Sequence, residues 1–199
     1  PSDQQEAYDM ARAGFELSEK FNIPVLFRFV TRLSHSRAVV EVDDSPSAEN
    51  GRSYPDNPKQ WVLMPAMSKI RNRQLISDYE CFIKDSEGSA YNRYEEAPRH
   101  ELGIIASGIA YNYLKEAFSG DVPFPTVKIS QYPLPKKLIR RLYDSCDAIL
   151  VLEEGQPFIE SRLRGLLDTG KRIYGKLSGD VVRDGELSPD EVKTTIVRI

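Results

Sequence analysis

The sequence predicts an α/β protein: an open, mostly parallel sheet with flanking helices, preceded by an incomplete α/β segment. Three observations carry this. From position 102 onward, short apolar runs alternate three times with helical patterns about ten residues long, as in right-handed strand–helix–strand crossovers. Those runs are apolar at nearly every position, which is how strands with two covered faces read. Ahead of position 43 there is one helical pattern and one strand pattern, too little to close a core.

The elements follow in order. Ala7, Met10, Ala11, Gly14, Leu17 and Phe21 recur at three- and four-residue spacing, one face of a helix over residues 3–20. Ser2 is the expected N-cap, and Asp3 and Glu6 set negative charge at the positive end of the helix dipole. Asn22 ends the helix, and residues 23–30 read as a strand covered on both faces. Residues 43–59 hold Pro46, Pro55 and Pro58 among Asp, Ser and Asn and read as linker. A short apolar run, Trp61 to Met64, leads to a largely solvated helix over 67–84, and 85–99 return to turn chemistry.

Strands are then expected at 102–106, 126–130, 148–152 and 172–176, with helices at 109–118, 136–145 and 158–167. Pro135 and Pro157 suit first turns, Gly170 a left-handed residue after the last turn, and Ser188 opens a final helix from Pro189 to about position 195. The expected division is 1–42, 43–99 and 100–199. The first residue is Pro1 rather than Met and leads straight into a helix opening, so the chain is expected to be an internal fragment. Apolar residues such as Phe15, Val25 and Phe27 then need cover, from a second copy, the sheet, or the 61–64 run pairing beside 23–30.

Composition excludes several functions. With 27 Lys and Arg against 30 Asp and Glu, the net charge of −3 offers no basic footprint for nucleic acid or an anionic membrane. No apolar run approaches the roughly 20 residues of a membrane span, and no signal peptide is recognisable, so a cytoplasmic setting is expected. Cys81 and Cys146 are far apart with no CxxC spacing and cannot supply four thiolates to a cluster, and with His35 and His100 they do not make a zinc pattern.

Three stretches remain as candidate functional or interface loops, and two more that catch the eye read as structural. Ser107 and Gly108 lie at a strand-to-helix turn, where helix N–H groups can hold an anion or simply close the turn. Glu153 and Glu154 follow a parallel strand at the edge where α/β proteins bind ligands; as neighbours on extended chain they point apart and form no catalytic dyad, and a turn or interface role outweighs direct ligand contact. Thr31, Arg32, Ser34 and His35 collect hydroxyls, a guanidinium and an imidazole after the first strand, suited to an anionic ligand or to tying the chain's exit. Gly165 to Lys171 has phosphate-loop spacing, but Arg172 follows where a hydroxyl is needed and the context is helix-to-strand, so it reads as a helix end with a favourable lysine. Lys136, Lys137, Arg140 and Arg141 read as a solvated helix flank.

Five blocks carry a resemblance: PSDQQEAY at 1–8, TRLSHS at 31–36, ELGIIASGIAY at 101–111, YPLP at 132–135 and LEEGQPF at 152–158. Together they resemble the α subunit of the indolepyruvate:ferredoxin oxidoreductase family, within the thiamine diphosphate-dependent 2-oxoacid:ferredoxin oxidoreductases. The resemblance implies a full enzyme that oxidatively decarboxylates aryl pyruvates to aryl-acetyl-CoA. Its cofactors would be thiamine diphosphate, Mg2+ and [4Fe-4S] clusters, and its partners a β subunit, ferredoxin, CoA and the remaining domains of its own chain. It likens 1–42 to the C-terminal piece of a pyrimidine-binding domain without its upstream glutamate, and 100–199 to a transketolase C-terminal-like domain. The family's GDG…N magnesium motif is absent, because Gly179-Asp180 is followed by Val181. No catalytic residue carries over, and none of the cofactors is expected on this part. The alternative is a free-standing flavodoxin-like module taking a small anion at the Ser107 and Glu153 turns.

Overall fold

The structure, a computed structural model, describes residues 1–42, 54, 56–62, 64–163, 170–182 and 187–199. Helix α1 (Gln4–Phe21) starts from Asp3, not Ser2: the Asp3 carboxylate accepts the Glu6 N–H at 2.8 Å. Ser2 sits one residue too early to cap, and both its N–H and its hydroxyl donate to the Glu6 carboxylate, at 2.5 and 2.9 Å. Asn22, in the left-handed region at φ 51°, ends α1 as expected. Glu6 is the one buried residue of this helix, so its apolar stripe closes no core.

Residues 23–30 correct the expectation of a buried strand: they belong to no sheet and are exposed or half-exposed. Among the described residues no strand lies beside them: Pro58–Trp61 is a 3-10 turn, and Trp61 and Met64 are exposed. Residues 31–35, expected as loop, form the short helix α2 (Thr31–His35), which buries Leu33. Helix α3 (Pro65–Glu87) is the expected solvated helix; it buries Ile83 and Ser86 and sets Phe82 edge-on to Phe21 of α1, ring centroids 5.0 Å apart. Residues 43–53 and 164–167, parts of the expected linker and of the helix over 158–167, lie outside the described residues.

The sheet has the order β1-β3-β2-β4-β5. Strands β2 (Leu102–Ser107), β3 (Thr126–Ile129), β4 (Ala148–Leu152) and β5 (Ile173–Tyr174) are parallel, and β1 (Arg93–Glu95) runs antiparallel on the β3 edge. Strand β1 falls in a stretch expected as turns, being short and polar. Helices α4 (Ile109–Ala117) and α7 (Pro189–Arg198) cover one face, with Ile104, Leu114, Leu150 and Val192 packed together. Helices α5 (Lys136–Ser145) and α6 (Phe158–Leu163) cover the other, with Ile105, Val127, Ile139, Ile149 and Ile159. Ile104 and Ile105 thus enter opposite cores, the reason this strand shows no polar alternation.

Gly103 is set by packing: a Cβ there would stand 2.8 Å from Leu142 Cγ and 3.0 Å from Cys146 Sγ, so α5 lies directly on the strand. Ser188 caps α7 as expected, accepting the Glu191 N–H at 3.2 Å. Gly170 lies outside the left-handed region, against expectation. Lys171 does serve a helix end, that of α5: its ammonium donates to the carbonyls of Tyr143 and Cys146.

Candidate functional site

Strand β2 sends its chain into α4 on one face of the sheet, and its neighbour β4 sends its chain into α6 on the other. Their C-terminal ends therefore diverge and leave a crevice, the place where open α/β sheets take ligands. A cleft of about 480 Å³ opens there, lined by Ser107, Gly108, Tyr132, Glu153, Glu154 and Phe158 from the sheet side. Its other wall is α1, residues 23–30 and α3.

The turn after β2 needs Gly108, at φ 56°, a conformation that side chains rarely adopt. The Pro1 carbonyl lies 3.5 Å from where its Cβ would stand, and Asn112 of α4 donates to the Ser2 carbonyl at 2.8 Å. The N-terminal segment is thus laid across this turn. Beside it, Tyr132 and Phe158 meet edge-on at 5.5 Å, and burial pushes the Tyr132 phenol up while the Ser107 hydroxyl draws it back.

Glu153 is buried, and its carboxylate accepts the N–H groups of Ile159 and Glu160 at 2.8 and 3.1 Å, closing the first turn of α6. Burial pushes its pKa up against those hydrogen bonds. Glu154 accepts the Leu187 N–H at 3.0 Å, on the approach to α7. The two carboxylates therefore serve opposite faces of the sheet. A second hollow of about 270 Å³ brings Thr31 and Arg32 together with Arg28, Tyr113 and Glu154. The Arg32 guanidinium lies 5.9 Å from the Tyr113 ring centroid. The Ser34 hydroxyl donates to the Val30 carbonyl at 3.1 Å, and neither Ser34 nor His35 lines either cavity.

Sequence reasoning missed the polar network beside the crevice. Lys128, in the middle of apolar β3, and Glu6 of α1 form an ion pair with side chains 3% and 9% exposed. Burial acts to raise the Glu6 carboxyl, but Lys128 and the Ser2 donors bring it below its ordinary value. Ser130 adds a hydrogen bond at 3.1 Å, and the Lys128 ammonium lies 5.2 Å from the Tyr111 ring centroid. Tyr111 donates to Glu95 at 2.5 Å, and Arg93 and Lys115 pair with the same carboxylate at 2.9 and 2.8 Å. Burial works to raise Glu95, but Lys115, Tyr111 and Arg93 hold it at about 2. A lysine inside an otherwise apolar strand was the available signal; its partner, far away in sequence, was not.

These residues do not fit the groups that the family resemblance implies. Both crevice carboxylates are committed to backbone N–H groups, and no three His, Cys, Asp or Glu side chains gather at one point among the described residues. Cys81 is exposed on α3 while Cys146 is buried behind α5. What the arrangement can do is join: α1, the sheet and both helical layers are tied through this one edge.

No family model matches the chain. Indolepyruvate oxidoreductase subunit IorA of Archaeoglobus fulgidus is 34% identical over 203 residues, covering 100% of this chain and 32% of that protein. The subunit of the same name from Methanothermobacter marburgensis is 33% identical over 98% of the chain and 33% of its own length, and that from Pyrococcus abyssi 32% identical over 82% and 26%. The chain spans about a third of the length of the curated relatives it matches. Among solved structures, a 2-oxoglutarate:ferredoxin oxidoreductase from Magnetococcus marinus has a TM-score of 0.49 at 13% identity, over 69% of this chain and 24% of that one; so distant a likeness decides nothing by itself. With identity running along its whole length, the chain belongs to the indolepyruvate oxidoreductase subunit IorA family.

Proposed function

We propose that the chain is a non-catalytic, assembling part of a longer α subunit of indolepyruvate:ferredoxin oxidoreductase. In this reading the full enzyme oxidatively decarboxylates aryl pyruvates to aryl-acetyl-CoA and passes the electrons to ferredoxin. The observation that carries it is end-to-end identity with about a third of each relative. The commitment of Glu153 and Glu154 to backbone groups supports it, since carboxylates spent on holding α6 and the approach to α7 are not available to a reacting centre.

Residues 1–42 then end a pyrimidine-binding domain, 43–99 connect, and 100–199 form a transketolase C-terminal-like domain. Thiamine diphosphate, Mg2+ and [4Fe-4S] clusters belong to the full enzyme, outside this part, as do the contacts with a β subunit, ferredoxin and CoA. A cytoplasmic setting goes with this reading; among the described residues no helix is long and apolar enough to cross a membrane.

The test compares the complete subunit, assembled with its β subunit, with residues 1–199 alone. The assembly reduces ferredoxin in the presence of indolepyruvate and CoA, and residues 1–199 neither turn over nor bind thiamine diphosphate. Magnesium-dependent binding of thiamine diphosphate to residues 1–199 in calorimetry overturns the reading.

A further inference from the structure

Helix α1 is 18 residues long, and Glu6 is the one residue it buries. Its apolar stripe meets other elements along the cleft and at its far end, where Phe21 stands against Phe82. Apolar contact is non-directional, so a stripe of this kind leaves a helix free to turn and slide on the surface that covers it. Other contacts must decide where the start of α1 sits on the sheet.

Directional contacts gather within the first six residues. One oxygen of the Glu6 carboxylate takes the Lys128 ammonium, and the other accepts the Ser2 N–H, the Ser2 hydroxyl and the Ser130 hydroxyl. Asn112 of α4 donates to the Ser2 carbonyl at 2.8 Å. The groups that receive α1 are themselves fixed. The Asn92 amide oxygen accepts the Ser130 N–H at 2.8 Å, and Tyr111, whose ring centroid lies 5.2 Å from the Lys128 ammonium, is anchored through its hydroxyl on Glu95. A slip of one residue turns a helix by about 100° and moves it by about 1.5 Å, which would part Glu6 from Lys128 and Ser130 and Ser2 from Asn112 together.

A buried ion pair is a poor source of stability, since apolar residues of similar volume often hold a fold as well or better. What a satisfied polar cluster can supply is a single permitted geometry. We propose that the Glu6–Lys128 cluster is a key that admits one seating of α1 on the sheet domain, acting on where the helix sits rather than on how tightly it is held. The inference deepens the assembling role proposed above and rests on that reading: domains joined without a large apolar interface move relative to one another by default, and this contact places the N-terminal one.

The test uses the complete subunit, with spin labels for distance measurement carried on non-natural amino acids at Glu16 of α1 and Lys193 of α7, both exposed. With the cluster intact, one narrow distance distribution is expected. Lys128→Met, and the charge-free pair Glu6→Gln with Lys128→Met, are each expected to widen it at least about two-fold or to split it. The charge-free pair is nevertheless expected to melt above Lys128→Met, because it strands no carboxylate. Lys115→Met takes a cation from Glu95 without touching α1, and is expected to keep the narrow distribution at some cost in melting temperature. If Lys128→Met does not fold, the charge-free pair decides alone. A narrow distribution in the charge-free pair overturns the inference and leaves the proposed function standing. So does a charge-free pair that melts below Lys128→Met, or a Lys115→Met distribution as wide as theirs, since either makes the cluster a matter of stability alone. A natural polypeptide with the mass of these 199 residues removes the proposed function, and the same two labels, both within those residues, then decide the key by itself.

Discussion

Replacing Lys128 by Met is the sharpest probe of how the N-terminal helix is joined to the sheet. The side chains of Lys128 and Glu6 are 3% and 9% exposed, so the substitution keeps the volume and leaves a carboxylate buried without its cation. Removing one partner of a buried pair costs about 3–5 kcal/mol when the other must stay charged. Glu6 has an escape, because it can take up a proton. From its reference pKa of 4.5, protonation at pH 7 costs about 1.36 × 2.5, or about 3.4 kcal/mol, which caps the penalty near the lower end of that range.

The cap also sets the sign of the pH dependence. In the native protein the Glu6 carboxyl is depressed, so its stabilisation is present above 4.5 and is lost as the pH falls through the folded value. In Lys128→Met the proton is already bound, so the deficit relative to the native protein shrinks from about 3 kcal/mol at pH 7 to about 1 kcal/mol at pH 5. Urea unfolding at both pH values measures it, with the slope m checking that the unfolded states are comparable. A deficit below about 1 kcal/mol at pH 7, or one equal at both pH values, would refute the reasoning by showing that Glu6 reaches water.

Two further outcomes follow from the geometry. Gly103→Ala pushes a methyl into Leu142 and Cys146 and lowers stability by about 1–3 kcal/mol, read as a lower melting temperature; an unchanged value would mean that α5 is not seated on β2 as described. Glu95, held at about 2 against an ordinary 4.5, contributes stability that is present above pH 4.5 and lost as the pH falls toward 2, so Glu95→Gln shows a shallower loss of melting temperature across that window. Parallel acid profiles for the two proteins would count against the Arg93–Tyr111–Lys115 network.

The elements of the sheet domain were legible where one stretch of chain carries its own instructions. Strands β2, β3 and β4 announce themselves by apolar residues at consecutive positions, since each must fill a core on both faces. Helices α5 and α7 and the end of α1 were legible through Pro135, Ser188 and Asn22, whose effects reach only a few residues. Resemblance through five short blocks also pointed to the family without any knowledge of how those blocks meet.

What tertiary structure alone decided is everything that depends on a neighbour distant in sequence. The strand order and the crevice between Ser107 and Glu153 follow from which side each crossover takes, and no local pattern encodes that. Strand β1 is three polar residues that become a strand only because β3 offers an edge. Residues 23–30 show the converse, a strong strand pattern that joins no edge among the described residues, because pairing is a property of two segments and one segment cannot supply it. The sequence determined which residues prefer to extend, coil or turn; contacts across the chain determined that Lys128 meets Glu6, that Glu153 holds α6, and that residues 23–30 remain unpaired, because hydrogen bonds and desolvation act between groups brought together by folding.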